Sequence, residues 1–251
     1  MNPKPKRKSF KHEYKPGVIR YIIKPLGQEI VLAIWNTSIT PNQVTIFRII
    51  LNVLALLCFL GGTFGYIVLG FLLFQVHEVL DTVDGMLAGL KNQRSRLGMF
   101  LDVFFDTILS ESYTLLGLAI AYGYYRMTDS LICIYLLVFA FIGRSIMASY
   151  RHAFRPYLAE KSADVIDLVD SPETFLQKVK VVAIDFLEGC YAWNNQFLLW
   201  GALLYYPCMY YFQLNTYVLG FVILVALTHL AWMGVILQVI KNMKKEAGRE
   251  S

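Results

Sequence analysis

Six long apolar stretches separated by short polar breaks dominate this chain, and no other feature restricts its fold as strongly. A helix that crosses a bilayer needs about 20 mostly apolar residues at a rise of about 1.5 Å each. That ruler predicts spans at about 42–61, 65–90, 96–122, 129–152, 189–211 and 215–240. Gly61-Gly62-Thr63, Lys91 to Ser95, Gly123 to Asp129, a polar stretch from about 153 to 188, and Gln213-Leu214-Asn215 separate them. Within the polar stretch, Ser171-Pro172-Glu173 has the form of a helix start, with serine as N-cap and proline at the first helical position. Only 16% of the residues are charged, where a soluble domain carries about 25%. The expected fold class is an all-α membrane protein. Cys58, Cys133, Cys190 and Cys208 stand singly in apolar segments, a pattern that fits neither a zinc site nor a disulfide framework.

The basic residues give the spans a direction. Residues 1–16 hold six Lys/Arg, the 91–96 turn three, the 151–180 stretch five and the segment after 240 four, whereas the opposite connections hold only Arg126. By the positive-inside rule, both termini and the 91–96 turn are expected on the cytoplasmic side. The Lys-rich start lacks the apolar core and small-residue cleavage site of a secretory signal, so no cleaved leader is expected. Ahead of the spans, Arg20, Lys24 and Gln28 recur every four residues against Val18, Ile19, Ile22, Ile23, Ile30, Val31 and Trp35. This predicts an amphipathic helix over 17–35, lying in the cytoplasmic interface and anchored by the basic tail before it. A helix on a soluble-facing surface is the alternative. The organisation expected is a basic cytoplasmic tail at 1–16, an interfacial helix at 17–35, one six-helix domain at 36–243 and a cytoplasmic tail at 244–251. Membrane lipids account for the basic segments, and no nucleic-acid partner is expected.

Four carboxylates lie where an apolar helix should have none. Asp81 and Asp84 fall in the second span, and Asp102 and Asp106 in the third. Spacings of three and four residues put each pair on one helix face. At about 1.5 Å per residue, Asp84 and Asp102 sit roughly 9 Å from the shared cytoplasmic turn, and Asp81 and Asp106 roughly 13–15 Å. Helices joined by so short a turn are expected to be antiparallel neighbours, so the four can converge in one shallow pocket. Each Asp at mid-membrane costs roughly 2.5–3.5 kcal/mol, and each like-charged pair at about 4 Å adds around 4 kcal/mol at an effective dielectric of 20. Either protons or cations must offset that sum, and convergent oxygens suit hard cations such as Mg²⁺ or Mn²⁺. The alternative is that Arg48 and Arg144, at similar depths on the first and fourth spans, pair with the aspartates as packing salt bridges. Intramembrane ionisable groups are functional by default, which favours the metal reading for a set of four. Gly85, Ala88 and Gly98 lie on the carboxylate faces, where small residues clear space for a ligand or let helices approach closely.

These residues resemble the CDP-alcohol phosphotransferases, whose signature is D-x-x-D-G-x-x-A-R, eight residues, then G-x-x-x-D-x-x-x-D. The chain has Asp81, Asp84, Gly85, Ala88 and then Gly98, Asp102 and Asp106 at those spacings, matching seven of the eight fixed positions. It departs at Gly89, where the family has arginine; Lys91, Arg94 and Arg96 on the adjoining turn are the candidates to replace that charge. The stretch from Thr40-Pro41-Asn42 through Thr45 to Arg48 is also similar to the family, and so are six helices behind an amphipathic one. The resemblance implies that Asp81, Asp84 and Asp102, with Asp106 beside them, hold two divalent ions, Mg²⁺ or Mn²⁺, on the pyrophosphate of a CDP-alcohol. It implies that Asn42, Thr45, Asp81, Gly85, Ala88 and Gly98 receive the CDP part. Asp106 would take the proton from the attacking hydroxyl, which displaces CMP.

On the acceptor side, Arg151 and Arg155, with Arg144 further up the fourth span, resemble the basic stretch that holds a phosphorylated acceptor. Positive-inside charges meeting lipid headgroups explain the same residues. His77, one turn before Asp81, reads either as a partner of the cluster or as a satisfied core histidine, and Asp164, Asp167 and Asp170 read as solvated loop residues. The expected activity is transfer of a substituted phosphate from CDP-diacylglycerol to an alcohol in phospholipid biosynthesis, at a cytoplasmic site. A water-soluble CDP-alcohol donor with a lipid acceptor, a membrane metal-binding or transport protein, and a catalytically silent scaffold stay open. So does a homodimer.

Overall fold

The computed structural model describes residues 22–111, 114–153 and 194–247, and all regular structure among them is helical. The α-helices are α1 (Lys24–Ile34), α2 (Pro41–Gly61), α3 (Phe64–Lys91), α4 (Arg96–Phe105), α5 (Leu115–Thr128), α6 (Ile132–Ala153), α7 (Asn194–Phe212) and α8 (Thr216–Ala247). A π-helical turn, Asp106–Ser110, continues α4.

The ends of α2 follow from local chemistry. Thr40 accepts from the Gln43 backbone N–H while the Gln43 side chain accepts from the Thr40 N–H, and Pro41 opens the helix where no N–H is needed. Gly62, at φ 66°, closes it in the left-handed conformation that favours glycine. α2 lies along α3, α8 packs on α6 and α7, and α5 bridges α2 to α6. The core between them gathers Phe59, Ile67, Phe74, Leu116, Ile120, Leu198, Tyr217, Phe221 and Leu224, each at most 2% exposed.

The outer surface is also apolar. Leu57, Tyr66, Val103, Phe139 and Leu230 are all more than half exposed. In water such a continuous apolar exterior would be unfavourable, whereas lipid solvates it without cost. Pro41–Gly61, Phe64–Lys91 and the run Arg96–Thr128 are long and apolar enough to cross a membrane, and α6 and α8 carry shorter apolar stretches, Ile132–Ile146 and Thr216–Leu230. These are the dimensions of an integral membrane protein.

Three boundaries differ from the sequence expectation. The third span is not one continuous helix: after the π turn the backbone is extended at Glu111, and α5 starts at Leu115. Gly123, expected to break the chain, lies inside α5. A Cβ there would sit 2.3 Å from the Phe59 carbonyl oxygen, so this glycine serves the close crossing of α5 over α2. α5 ends instead at Asp129, which adopts φ 58°. α8 continues to Ala247, past the expected limit of 240. Residues 17–21 of the expected interfacial helix and 189–193 of the fifth expected span lie outside the described residues. The described part of that expected helix contains α1, which packs on α3. Its Gly27 approaches Thr82, and Val31 is buried with Val44, Val83 and Leu87, while Ile22 and Leu26 stay exposed.

Candidate active site

α3 and α4 bring their aspartates together through a residue of α2. α4 lies against α2 more than along α3, so the two aspartate helices are not the close neighbours expected from their short turn. Arg48 of α2 joins them, with its side chain completely buried. Its Nε donates to Asp84 Oδ2 at 3.0 Å, and Nη1 donates to Asp106 Oδ1 at 2.6 Å. Nη2 donates to Asp102 and to Asp106 Oδ2, the latter at 3.4 Å, and lies 3.3 Å from Asp81 Oδ1. The planar five-donor fork of arginine is the one side chain that can span four carboxylates in this way. The ion pairing weighed as an alternative at the sequence level is therefore part of this site for Arg48. Arg144 is half-buried on α6.

Pairing with Arg48 does not exhaust the cluster. Among the described ion pairs, one guanidinium faces four carboxylates, so the formal negative charge of the cluster exceeds the positive. One oxygen from each of Asp81, Asp102 and Asp106 lies within 4.8 Å of the others, and all three side chains are partly open. A convergent, all-oxygen, anionic donor set fits a hard divalent cation such as Mg²⁺ or Mn²⁺. Asp84 is placed differently. It is buried, and its Oδ2 accepts from Thr45 Oγ1 at 2.8 Å as well as from Arg48.

A second, buried layer braces the cluster. The Arg48 carbonyl can only accept, so His77 must carry its proton on Nδ1, 3.1 Å away. In the neutral ring, Nε2 then accepts from the Ser110 hydroxyl at 3.2 Å, and Ser110 Oγ accepts from Asn52 Nδ2 at 2.7 Å. Asn52 and Ser110 are buried and lie one helical turn beyond Arg48 and Asp106 respectively. The chain of bonds thus ties the Arg48 turn of α2 to the π turn that carries Asp106. Of the two readings of His77, the structure supports both at once: a satisfied buried histidine that touches the cluster's frame.

Asp84 and Asp102 stand in the wall of a cleft of about 530 Å³, within the usual range for ligand sites, whereas Asp81 and Asp106 are not among its lining residues. Asn42, Thr45, Asp84, Gly85, Ala88, Gly98 and Asp102 line it, together with Gln93, Arg94, Ser95, Arg96 and Met99 from the α3–α4 connection. A Cβ on Gly85 would meet nothing within 4 Å, so this residue leaves the cleft floor open. Gly98 works otherwise: a Cβ would lie 2.8 Å from Asn42 Oδ1, so its bareness allows α4 to approach α2. Ser95 completes that corner, donating to Asn42 Oδ1 at 3.3 Å and accepting from the Gly98 N–H at 2.9 Å as the N-cap of α4. Of the acceptor-side candidates, Arg151 falls on the last turn of α6 and Arg155 outside the described residues.

Sequence reasoning brought the four aspartates and most of the cleft wall into one place. It missed the centrality of Arg48 and the brace of Asn52 and Ser110. The available signal was a polar residue four positions after an ionisable one in an otherwise apolar helix, which puts both on one face.

No curated protein gives a significant match to the chain. The family described as CDP-alcohol phosphatidyltransferase matches residues 38–210, well over half of the chain, a segment that runs from the cap of α2 into α7 and contains every residue of the Arg48–aspartate cluster. With its aspartates clustered beside a cleft that two of them line, and with that match over most of its length, the chain belongs to the CDP-alcohol phosphatidyltransferase family.

Proposed function

We propose that the protein transfers a phosphatidyl group from CDP-diacylglycerol to a polar alcohol, releasing CMP, in phospholipid synthesis. Family membership gives the reaction class, transfer from a CDP-alcohol to an acceptor. The observation that carries the finer reading is the cluster itself: four carboxylates sharing one buried guanidinium, and a cleft beside them large enough for a nucleotide. Leu97, Met99, Phe100 and Val103 of α4, all more than half exposed beside the cleft, favour a donor that keeps acyl chains in lipid while its headgroup enters from the side.

In this reading Asp81, Asp102 and Asp106 hold the divalent ions, with Asp84 at the same centre. Bound there, Mg²⁺ or Mn²⁺ neutralises the charge of the transferred phosphate and of the departing CMP. Asn42, Thr45, Gly85, Ala88 and Gly98 receive the nucleotide. Asp106 accepts the proton of the acceptor hydroxyl as its oxygen bonds to phosphorus and the bond to the CMP oxygen breaks. Arg48 keeps the aspartates oriented, its fork fixing Asp106 through both oxygens. Arg144, Arg151 and Arg155 are the acceptor-side residues, suited to an acceptor phosphate. Six membrane spans behind an interfacial α1, with both termini and the cleft mouth on the cytoplasmic side, complete the proposal.

The test is CMP release from protein in lipid nanodiscs, given CDP-diacylglycerol and separate candidate alcohols. Release with one alcohol and not with others supports the assignment and names the acceptor. Release only from a soluble CDP-alcohol supplied with diacylglycerol would reverse donor and acceptor.

A further inference from the structure

The α3–α4 connection holds three cations, and the fold treats them differently. Lys91 Nζ donates to the carbonyls of Thr37 and Ile39, at 2.8 and 2.6 Å, and so fastens the α1–α2 link to the end of α3. Its charge is committed away from the cleft. Arg94 and Arg96 line the cleft, are exposed, and form no ion pair or hydrogen bond with another described residue. Between these two, Arg94 has a particular address. Its Nη2 lies 3.8 Å from where a Cβ on Gly89 would stand. Gly89 is the one motif position at which this chain lacks the expected cation, and the guanidinium of Arg94 rests over that bare stretch of α3.

The turn that presents Arg94 is built rather than loose. Asn92 takes φ 52°, the N–H groups of Asn92 and Gln93 both reach the Ala88 carbonyl, and Ser95 caps α4. Arg94 is thus held between two fixed points, over a residue whose missing side chain leaves room for it. Two guanidiniums facing one cleft repel each other unless an anion enters between them. A nucleoside diphosphate supplies that anion, and arginine recognises phosphate oxygens through two parallel N–H bonds.

We propose that Arg94 is the donor-binding cation of this protein, contacting the anionic phosphates of the nucleotide from above Gly89. The inference rests on the reading of the cleft as the CDP-alcohol site. It makes the loss of arginine at position 89 a relocation of charge along the chain rather than a loss of function.

A relocation can be reversed, and the experiment uses that. CDP affinity is measured by calorimetry in the presence of Mn²⁺, and donor and acceptor KM by CMP release, on the full-length protein. The variants are Arg94→Ala, Arg94→Lys, Arg96→Ala, Gly89→Arg and the double variant Arg94→Ala with Gly89→Arg. Loss of a charge-assisted phosphate contact corresponds to a fall in affinity of about tenfold or more. Arg94→Ala should therefore weaken CDP binding and raise donor KM by that factor, with acceptor KM moving far less. Arg94→Lys should recover part of the loss, and Arg96→Ala should lose less than Arg94→Ala. The double variant should bind CDP nearly as well as the wild type, because the guanidinium has been moved to α3. Unchanged CDP affinity in Arg94→Ala, or no recovery in a folded double variant, overturns the proposal. CDP binding by the wild type without CMP release would sink the transferase reading instead, and the binding comparison would still decide the role of Arg94.

Discussion

Arg48 is costly to bury and costly to remove. A lone guanidinium in a low-dielectric interior is unfavourable, and here its ionised form is compensated by contacts to four carboxylates. Deleting one partner of a fully buried pair typically costs about 3–5 kcal/mol; here only Asp84 stays buried and the other three are partly open, so a smaller loss is expected. Arg48→Ala should therefore lower the thermal midpoint in metal-free buffer, and Mn²⁺ should restore part of it by offsetting the exposed carboxylates. Arg48→Lys keeps the charge but not the fork, so it should fall between the two. A variant Arg48→Ala as stable as the wild type without metal would show that another group balances the cluster. Asp106 poses a separate question, since it is both near the candidate metal oxygens and the assigned base. Asp102→Asn should lose Mn²⁺-dependent CDP binding together with turnover. Asp106→Asn should keep most of that binding while kcat falls about 10²–10⁴-fold, the usual loss for a general base. Equal loss of CDP binding in both variants would make Asp106 chiefly a ligand and move the proton acceptor elsewhere.

Helices were more legible in this sequence than their interruptions. The ends of α2 and α3 fall within one residue of the expected spans, because Gly61-Gly62-Thr63 and the polar 91–95 turn mark them chemically. The π turn at Asp106–Ser110 has no such mark, since neither composition nor period distinguishes it from continuing helix. Gly123 misled for a related reason: a glycine that ends a helix and one that lets two helices touch look alike in sequence. Position decides between them, and only the neighbour shows the position. Asn52, His77 and Ser110 were individually visible as polar residues in apolar spans, but their bonding to each other depends on three separate helical segments meeting. The packing role of Gly123 has a direct test. In Gly123→Ala the new methyl would lie 2.3 Å from a backbone oxygen that cannot rotate away, so α2 and α5 must separate. A loss on the order of 1–3 kcal/mol is expected, as for other overpacked sites. The matched control is Gly65→Ala, where a Cβ would meet nothing within 4 Å and no loss is expected. Equal unfolding midpoints for the two variants would mean the α2–α5 crossing is slack.

At the scale of the molecule, the apolar exterior and the charged interior make one argument. Lipid solvates the outward faces of α2, α3, α4 and α6, so the bundle can be stable with an apolar surface. The same surroundings limit the water that can screen the aspartates, and among the described ion pairs a single guanidinium faces all four of them. The excess was readable from four Asp in two apolar spans, and pairing with Arg48 stood beside it as an alternative; that one guanidinium meets all four carboxylates was not readable, because it requires α2 to bridge the aspartate helices. This imbalance should couple metal binding to stability as well as to catalysis, since any ion that binds the folded cluster and not the unfolded chain raises the melting temperature with its concentration. Titrating Mn²⁺ or Mg²⁺ into chelator-treated protein in nanodiscs should raise the unfolding midpoint along a saturating curve. CMP release should appear over the same concentration range and vanish again with chelator. In a triple Asn variant at Asp81, Asp102 and Asp106 both responses should disappear together. Activity in metal-free buffer equal to that with Mn²⁺ would remove the metal from the reaction. A stability shift that persists in the triple variant would place the bound ion somewhere other than this cluster.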